Sequence, residues 1–288
     1  MKSLKVQLAG GLGNQLFQLS AGLYFSKTYQ KPLKLIRAEK SDSKYFHDFG
    51  LANIPGIDVS SRNRILRSKL GGLIWRVDRK LLNKSKTFQR LRHIYEPSEG
   101  TSNQLNRSKV FELRGYFQEL KYAEFARDSI QEILKNVKID KRKWIEIDNG
   151  YISLHIRRGD YLKLTDIYGT LGTNYYSESL SRCAKVIGSK KVIVFSDDIA
   201  EAEKLLAGSE FDVYDFQFVP AGYSPIESII LMSKCSAHIL ANSTFSWWGA
   251  FISDRSRITT FPSPWTKHHE SEPDFFPRNW VRVPANLL

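Results

Sequence analysis

Two arginines and an aspartate lie at the end of an apolar run in the stretch YISLHIRRGDYL, which covers residues 151–162. The run predicts a strand that carries Arg157 and Arg158 to the edge of a sheet. Guanidinium groups match phosphate oxygens bidentately, so their position favours binding of a phosphorylated ligand. A structural ion pair with Asp160 is the alternative that this stretch alone leaves open.

Two more polar loops follow predicted strands: SDD, residues 196–198, follows KKVIVF, and NSTFSWW, residues 242–248, follows AHILA. The loops after parallel strands gather at one edge of a sheet, so we expect all three loops to converge. Together they offer guanidinium groups, carboxylates, hydroxyls and aromatic rings, a mixture that suits a nucleoside diphosphate. Each motif also has a plainer explanation, because Asp198 is placed to cap a helix and the tryptophans fit a protein core.

Strand and helix patterns alternate along most of the chain. The N-terminal half begins with the strand LKVQL and the helical pattern QLFQLSAGLYFSKTY, whereas residues 38–108 are polar, basic and only partly helical in pattern. In the C-terminal half, the helical patterns YYSESLSRCAKVIG, DIAEAEKLLAGS and SPIESIILMSKC separate apolar strands, of which RITTF is the last. This alternation predicts an α/β protein with two halves, each a parallel sheet wrapped by helices. The boundary between them is expected near residues 148–150.

The composition is that of an ordinary globular protein. The 288 residues are 42% hydrophobic and 25% charged, enough for one large domain or two of ordinary size. The two cysteines, Cys183 and Cys235, suggest neither a disulfide framework nor a zinc motif. Polar residues interrupt the N-terminus and no run of about 18 apolar residues occurs, so neither a signal peptide nor a transmembrane helix is predicted. We therefore expect a soluble cytoplasmic protein.

Much of the net charge of +13 lies in residues 62–92, which contain eleven Lys and Arg and one acid, Asp78, for a net charge of +10. Leucines and other apolar residues recur there at helical spacing, although Gly71 and Gly72 interrupt the pattern. A basic amphipathic helix can lie on an anionic membrane surface. A solvated basic face on an ordinary helix and a nucleic-acid-binding surface are the other interpretations of this stretch.

A glycine-rich loop, GGLGNQ, follows the first predicted strand. The loop does not match the dinucleotide-binding pattern, because Leu16 stands where the last glycine is required, and it lacks the Lys-Ser/Thr pair of a P-loop. We expect a tight turn where the backbone approaches a ligand or a facing domain closely. Its candidate residues are Gly10, Gly11, Gly13, Asn14 and Gln15.

Five motifs occur in an order that resembles the α-1,2-fucosyltransferases of glycosyltransferase family 11. They are GGLGNQLFQ near the start, GYFQ at residues 115–118, HIRRGDY at 155–161, FSDD at 195–198 and NSTFSWWGAF at 242–251. The resemblance implies a GT-B-like fold, in which two Rossmann-like domains with parallel sheets face a cleft. Residues 1–149 would form the acceptor-side domain and residues 150–288 the domain that binds the GDP-sugar.

The resemblance also implies an activity. The donor would be GDP-β-L-fucose, and the enzyme would invert the anomeric centre to link fucose α-1,2 to a terminal β-galactoside. Because the chain shows no apolar anchor, a bacterial enzyme at the cytoplasmic face is expected, with an acceptor in a surface glycan such as O-antigen. A lipid-linked acceptor and peripheral contact with the anionic membrane are further expectations for such an enzyme.

Residue roles follow from the resemblance. Arg157 and Arg158 would bind the pyrophosphate, Asp160 would orient an arginine, His155 would lie near the nucleoside and Asp197 would contact guanine. The other expected donor-binding residues are Ser196, Asp198, Asn242, Ser243, Thr244, Phe245 and Ser246. No D-x-D motif occurs, so the arginines are expected to replace a metal ion in stabilising the departing GDP, with no cofactor.

Several questions stay open at this level. Asp48, Glu119, Asp160 and Asp166 are candidates for a general base, and the sequence does not choose among them. The donor could be another GDP-deoxysugar such as GDP-colitose. A carbohydrate-binding protein without activity, in which the pair Trp247–Trp248 stacks on sugar rings, and a nucleic-acid binder are further alternatives.

Overall fold

The computed structural model describes residues 3–37, 59–60, 94–95, 112–139, 145–159, 169–267 and 274–287. The basic stretch of residues 62–92 lies outside these ranges. The chain divides into two compact units, Met1–Ala126 and Arg127–Leu288. This division falls earlier in the chain than residues 148–150, so the predicted domain boundary stays a prediction. Within the described residues, no helix is long and apolar enough to cross a bilayer.

The first unit contains a parallel sheet in the order β3-β2-β1-β5-β4. Its elements are β1 (Leu4–Leu8), α1 (Leu12–Tyr29), β2 (Leu33–Arg37), β3 (Val59–Ser60), β4 (Ile94–Tyr95) and β5 (Glu112–Arg114), and α2 (Leu120–Lys135) spans the division. The strand LKVQL alternates as predicted, with Leu4, Val6 and Leu8 buried. Gly22 lets α1 lie close to this strand, because a Cβ there would stand 2.9 Å from Val6 Cγ2.

The second unit contains a parallel sheet in the order β11-β10-β9-β6-β7-β8. Its elements are β6 (Tyr151–Ile156), α3 (Thr173–Ile187), β7 (Lys191–Ser196), α4 (Ile199–Leu205), β8 (Asp215–Phe218), α5 (Pro225–Ser233), β9 (Ala237–Ile239), α6 (Thr244–Phe251), β10 (Ile258–Ser263) and β11 (Val281–Pro284). The chain runs outward from β6 on one side and then crosses to β9 on the other, which is the Rossmann strand order.

The predicted α/β class with two Rossmann-like parallel sheets is therefore confirmed. The prediction that RITTF forms the last strand was wrong, because β11 follows it and pairs with β10 from Thr260 to Ser263. This strand is only four residues long and half of its residues are exposed, so it carries no long apolar run that would mark it in the sequence.

Two predicted helix starts in the second unit are confirmed by their caps. The Asp198 carboxylate accepts a hydrogen bond from the Glu201 N–H at 3.1 Å and caps α4. Ser224 and Glu227 form a capping box at the start of α5, with Pro225 in the first turn.

The two adjacent tryptophans of α6 belong to the core. Trp247 and Trp248 are both 0% exposed. The Trp247 indole N–H donates to the Phe275 carbonyl at 3.1 Å, and its ring stacks on Phe251 at a centroid distance of 4.5 Å. The interpretation that these rings stack on a bound sugar was therefore wrong, and the non-catalytic carbohydrate-binding alternative loses the residues on which it rested.

One face of the second sheet buries two histidines. Ser153 and His155 are two residues apart on β6 and therefore face the same side of the sheet. Ser153 pairs in register with His238 of β9. The Ser153 hydroxyl lies 2.8 Å from His238 Nδ1. Burial, which penalises the imidazolium, lowers the pKa of His238 to about 3. Burial also lowers the pKa of His155 to about 3, with the positive charge of Arg157 adding to the effect and the negative charge of Asp197 opposing it.

These histidines predict that acid destabilises the protein before its carboxylates titrate. The unfolded chain binds protons below the ordinary histidine pKa of 6.5, whereas the folded protein keeps both rings neutral down to about pH 3. The contribution of the histidines to the free energy of unfolding is therefore full above pH 6.5. Below that pH it falls, for each histidine, by about 1.4 kcal/mol for every pH unit. Urea unfolding at pH 7.5 and 5.0 should show a loss of about 2 kcal/mol for each ring.

The variant His238→Asn isolates one of the two contributions, and we expect it to reduce the pH-dependent loss by about half. Ser153→Ala is the matched control: it removes the hydrogen bond but leaves the histidine in place, so its pH dependence should match that of the wild type. An unchanged pH dependence in His238→Asn would contradict the assignment of neutral buried rings.

Candidate functional site

Three loops of the second unit meet beyond the carboxyl ends of its central strands. Residues 157–159 leave β6, residues 197–198 leave β7, and residues 240–243 leave β9. The chain reverses direction across the sheet between β6 and β9, and ligands of such sheets bind in the crevice at this switch point. The expected convergence is borne out by the contacts described below.

The Asp197 carboxylate joins the loops after β6 and β7. One oxygen accepts a hydrogen bond from the Arg158 backbone N–H at 2.8 Å, and the other lies 3.1 Å from Arg157 Nη1. A Cβ on Gly159 would stand 2.7 Å from the Asp197 carboxylate, so only glycine fits beside it without a shift. Asp197 thus does what the resemblance assigned to Asp160, which lies outside the described residues. The expected contact of Asp197 with guanine stays a prediction.

The two arginines have different surroundings. Arg158 is 7% exposed, and its guanidinium donates to the Leu171 carbonyl at 2.9 Å. The Arg157 side chain is 27% exposed and pairs with Asp197. Arg158 therefore has a structural contact that the sequence did not predict, and the more accessible guanidinium is that of Arg157.

His155 brings a neutral imidazole to the end of β6. The residue is 4% exposed, and its ring centroid lies 5.5 Å from that of Phe245. Within the described part of the chain, its Nδ1 has no hydrogen-bond partner. A buried polar atom without a partner is costly, so it is a group to which a bound ligand would add a hydrogen bond.

The loop after β9 is held by its own hydrogen bonds. Ser243 caps α6 by accepting from the Phe245 N–H at 3.3 Å, and the Ser246 hydroxyl donates to the Ser243 carbonyl at 3.2 Å. Asn242 is buried and donates to the Gly169 carbonyl at 3.5 Å. The first turn of α6, which begins at Thr244, contains no acidic residue, so its positive end is not neutralised locally.

The loop after β7 uses its polar groups to start α4. The Ser196 hydroxyl accepts from the Asp198 N–H at 3.1 Å and donates to the Asp198 carbonyl at 2.9 Å. Because the Asp198 side chain caps the helix, the plainer explanation of this residue as a helix cap is confirmed.

Tyr175 also supports this edge of the sheet, and sequence reasoning missed it. Its hydroxyl donates to the Leu240 carbonyl at 2.6 Å and so ties α3 to the end of β9. The only signal in the sequence was a tyrosine pair in a helical pattern, which is equally typical of a core.

The glycine-rich loop lies in the first unit, at the end of β1. Gly10 adopts a φ of +74°, and the Gln15 amide donates to its carbonyl at 2.8 Å. Gly11 stands at the N-cap of α1, and Gly13 and Asn14 lie in its first turn. The prediction of a tight turn at the end of a strand is confirmed for these residues.

Of the four candidates for a general base, the structure describes only Glu119. Glu119 lies in the first unit and pairs with the ammonium group of Lys121. Asp48, Asp160 and Asp166 lie outside the described residues.

The chain is similar to two bacterial glycosyltransferases along nearly all of its length. It is 29% identical to an α-1,2-colitosyltransferase of Escherichia coli, over 98% of this chain and 99% of that protein. It is 31% identical to the O-antigen biosynthesis glycosyltransferase WbnK of Escherichia coli, over 90% of this chain and 93% of that protein. A mouse galactoside 2-α-L-fucosyltransferase, Sec1, is 26% identical over 57% of this chain and 45% of its own length.

Among solved structures, the chain is similar to POFUT1 in complex with GDP, with a TM-score of 0.47, 13% identity and coverage of 89% of this chain and 96% of that one. It is also similar to the fucosyltransferase NodZ from Bradyrhizobium, with a TM-score of 0.46, 14% identity and coverage of 86% and 92%. The model of glycosyl transferase family 11 matches residues 84–284, which is more than half of the chain. The chain therefore belongs to glycosyltransferase family 11.

Proposed function

We propose that the protein is an inverting glycosyltransferase that moves L-fucose from GDP-β-L-fucose to the 2-hydroxyl of a terminal β-galactoside in a surface glycan such as O-antigen. The observation that carries this proposal is the arrangement of polar side chains at the edge of the second sheet, in a chain that belongs to family 11. There Asp197 fixes the Arg157 guanidinium, and His155 presents a neutral ring beside it. The α-1,2 linkage and the O-antigen role named for its relatives support the same conclusion.

The reaction is a single displacement at the anomeric carbon. The bond from that carbon to the GDP oxygen breaks, and its electron pair stays on the phosphate. The acceptor hydroxyl forms the new bond from the opposite face and releases its proton to a base or to water. The positive charge of Arg157 would stabilise the negative charge that grows on the leaving phosphate, and a neutral His155 would hold a donor hydroxyl.

GDP-colitose is the second candidate donor, and a specific observation favours it. The relative named as an α-1,2-colitosyltransferase matches this chain along almost its entire length. Colitose lacks one hydroxyl group of fucose, so a pocket that pairs that hydroxyl would reject colitose strongly. Measuring kcat/KM for each donor with a panel of β-galactosides separates the candidates. If the protein releases GDP from neither donor, both candidates are refuted.

Arg157→Ala should lower kcat/KM about 100-fold or more, because it removes a donor to the charge that develops on the leaving group. Release of GDP from the donor and an acceptor galactoside measures the effect. Arg182→Ala is the matched control, since this arginine lies on the exposed side of α3 and pairs only with Glu178 among the described residues. A folded Arg157→Ala protein with normal turnover would contradict the role assigned to the guanidinium.

We also propose that transfer needs no metal ion, because the guanidinium charge of Arg157 would stabilise the leaving group in its place. Activity should therefore survive EDTA at millimolar concentrations. Loss of activity with EDTA that Mn²⁺ or Mg²⁺ restores would overturn the proposal. Modest stimulation by a divalent ion would not, since such ions also bind the released GDP.

Peripheral membrane contact at the cytoplasmic face forms part of the proposed function. Its support is the net charge of +10 in residues 62–92. A lipid-linked acceptor would be displayed at the same membrane surface. Each Lys or Arg near an anionic surface contributes about 1 kcal/mol at best. We expect sedimentation with anionic but not neutral liposomes at low salt, and release near about 0.5 M salt. Sedimentation with neither kind of liposome would overturn this proposal and leave the solvated-face interpretation.

A further inference from the structure

The first unit has a switch point of its own, which the proposed donor site does not use. The central strand β1 pairs with β2 on one side and with β5 on the other, and the chain reverses direction across the sheet between β1 and β5. Residues 9–11 and 115–119 form the loops at the carboxyl ends of these neighbouring strands. A crevice at this position is where parallel sheets bind their ligands.

Amide side chains of α1 tie the two loops together. Gln18 accepts from the Ala9 N–H and donates to the Gly115 carbonyl, both at 2.9 Å, so one buried side chain bridges both loops. The Gln118 side-chain amide donates to Oδ1 of the Asn14 side chain at 2.9 Å and closes a second bridge. These contacts fix the loops before any ligand binds.

The backbone around Tyr116 turns neighbouring side chains in opposite directions. Gly115 has a φ of +143°, and Phe117 has a φ of +53° although it is not glycine. The Phe117 ring is 0% exposed, whereas Tyr116 is 41% exposed. Left-handed conformations of non-glycine residues persist where surrounding structure holds them, and they cluster at ligand sites. Here the strained turn buries the ring of Phe117 and exposes the ring of Tyr116, the residue before it.

The chemistry of this edge suits an uncharged, hydroxyl-rich ligand. The segments AGGLGNQLFQ and GYFQ, residues 9–18 and 115–118, contain no ionisable group other than the tyrosine phenol. A Cβ on Gly10 would stand 3.4 Å from Tyr116 Cε1, so the ring lies over the glycine turn. An aromatic face accommodates the apolar face of a pyranose, and amides bind its hydroxyls. A phosphate would find no cation in these segments, and Glu119, the last residue of the loop after β5, is paired with Lys121.

We propose that Tyr116 is the platform on which the terminal sugar of the acceptor stacks, at the edge formed by the loops after β1 and β5. The proposal rests on the proposed function, which requires a galactoside acceptor. It adds a residue that selects the acceptor and leaves the donor site unchanged.

Tyr116→Ala should raise the KM for the galactoside about tenfold, equivalent to about 1.4 kcal/mol, without changing the affinity for GDP. Tyr116→Phe keeps the ring face and should retain most of the wild-type KM. Phe125→Ala is the matched control, because this aromatic residue is 40% exposed and lies on α2, away from the two loops. Acceptor kinetics, calorimetry with GDP and saturation-transfer NMR with the galactoside measure the three quantities.

A folded Tyr116→Ala variant with unchanged galactoside binding would overturn the proposal, and so would a variant that loses affinity for GDP instead. The NMR experiment separates this result from a failure of the proposed function. If the wild type binds the galactoside but transfers no sugar, the proposed function fails. Loss of galactoside binding in Tyr116→Ala would then still support the platform.

Discussion

The positions of the loops at the edge of the second sheet depend on one carboxylate, that of Asp197, which binds two arginines. Asp197 accepts from the backbone of Arg158 and pairs with the side chain of Arg157, so it fixes the direction of the chain and of the guanidinium together. The side chains of Asp197 and Arg157 are only 22% and 27% exposed, so solvent screens their attraction less than on an open surface. Hydrogen bonds to charged groups contribute about 1.5–3 kcal/mol each, which is enough to hold one loop conformation.

The two units apply the same architecture to different chemistry. Each has a parallel sheet whose central strand is the first in its unit, and each places its motif loops at the reversal beside that strand. In the second unit these loops carry charge, which suits a diphosphate. In the first unit they carry amides and a phenol, which suit a neutral sugar, together with the Glu119 carboxylate that pairs with Lys121. A transferase that joins a charged donor to an uncharged acceptor needs both kinds of surface.

The sequence predicted those features that depend on a few neighbouring residues, such as strand ends and helix caps. The strands that end in HIRRGD and SDD, and the caps Asp198 and Ser224, follow from apolar runs and helix-start chemistry within a few residues. Contacts between distant residues were not predictable in this way. Asp197 and Arg158 are 39 residues apart in the chain, so their pairing depends on strand register. The inward path of Arg158 depends likewise on packing that no short motif encodes, whereas the core position of Trp247 was one of the two interpretations open from the sequence.

The pairing of Arg157 with a carboxylate also bears on turnover. If Arg157 binds the donor phosphate as proposed, Asp197 already orients its guanidinium before the donor binds, so less conformational freedom would be lost on binding. The same carboxylate would weaken the net positive field at that phosphate and so limit how tightly the product GDP is held. Binding that is equal in the ground state and the transition state does not raise kcat. In the proposed role, an oriented but partly neutralised arginine would stabilise the leaving group less than an unpaired one, and would in return release GDP more readily.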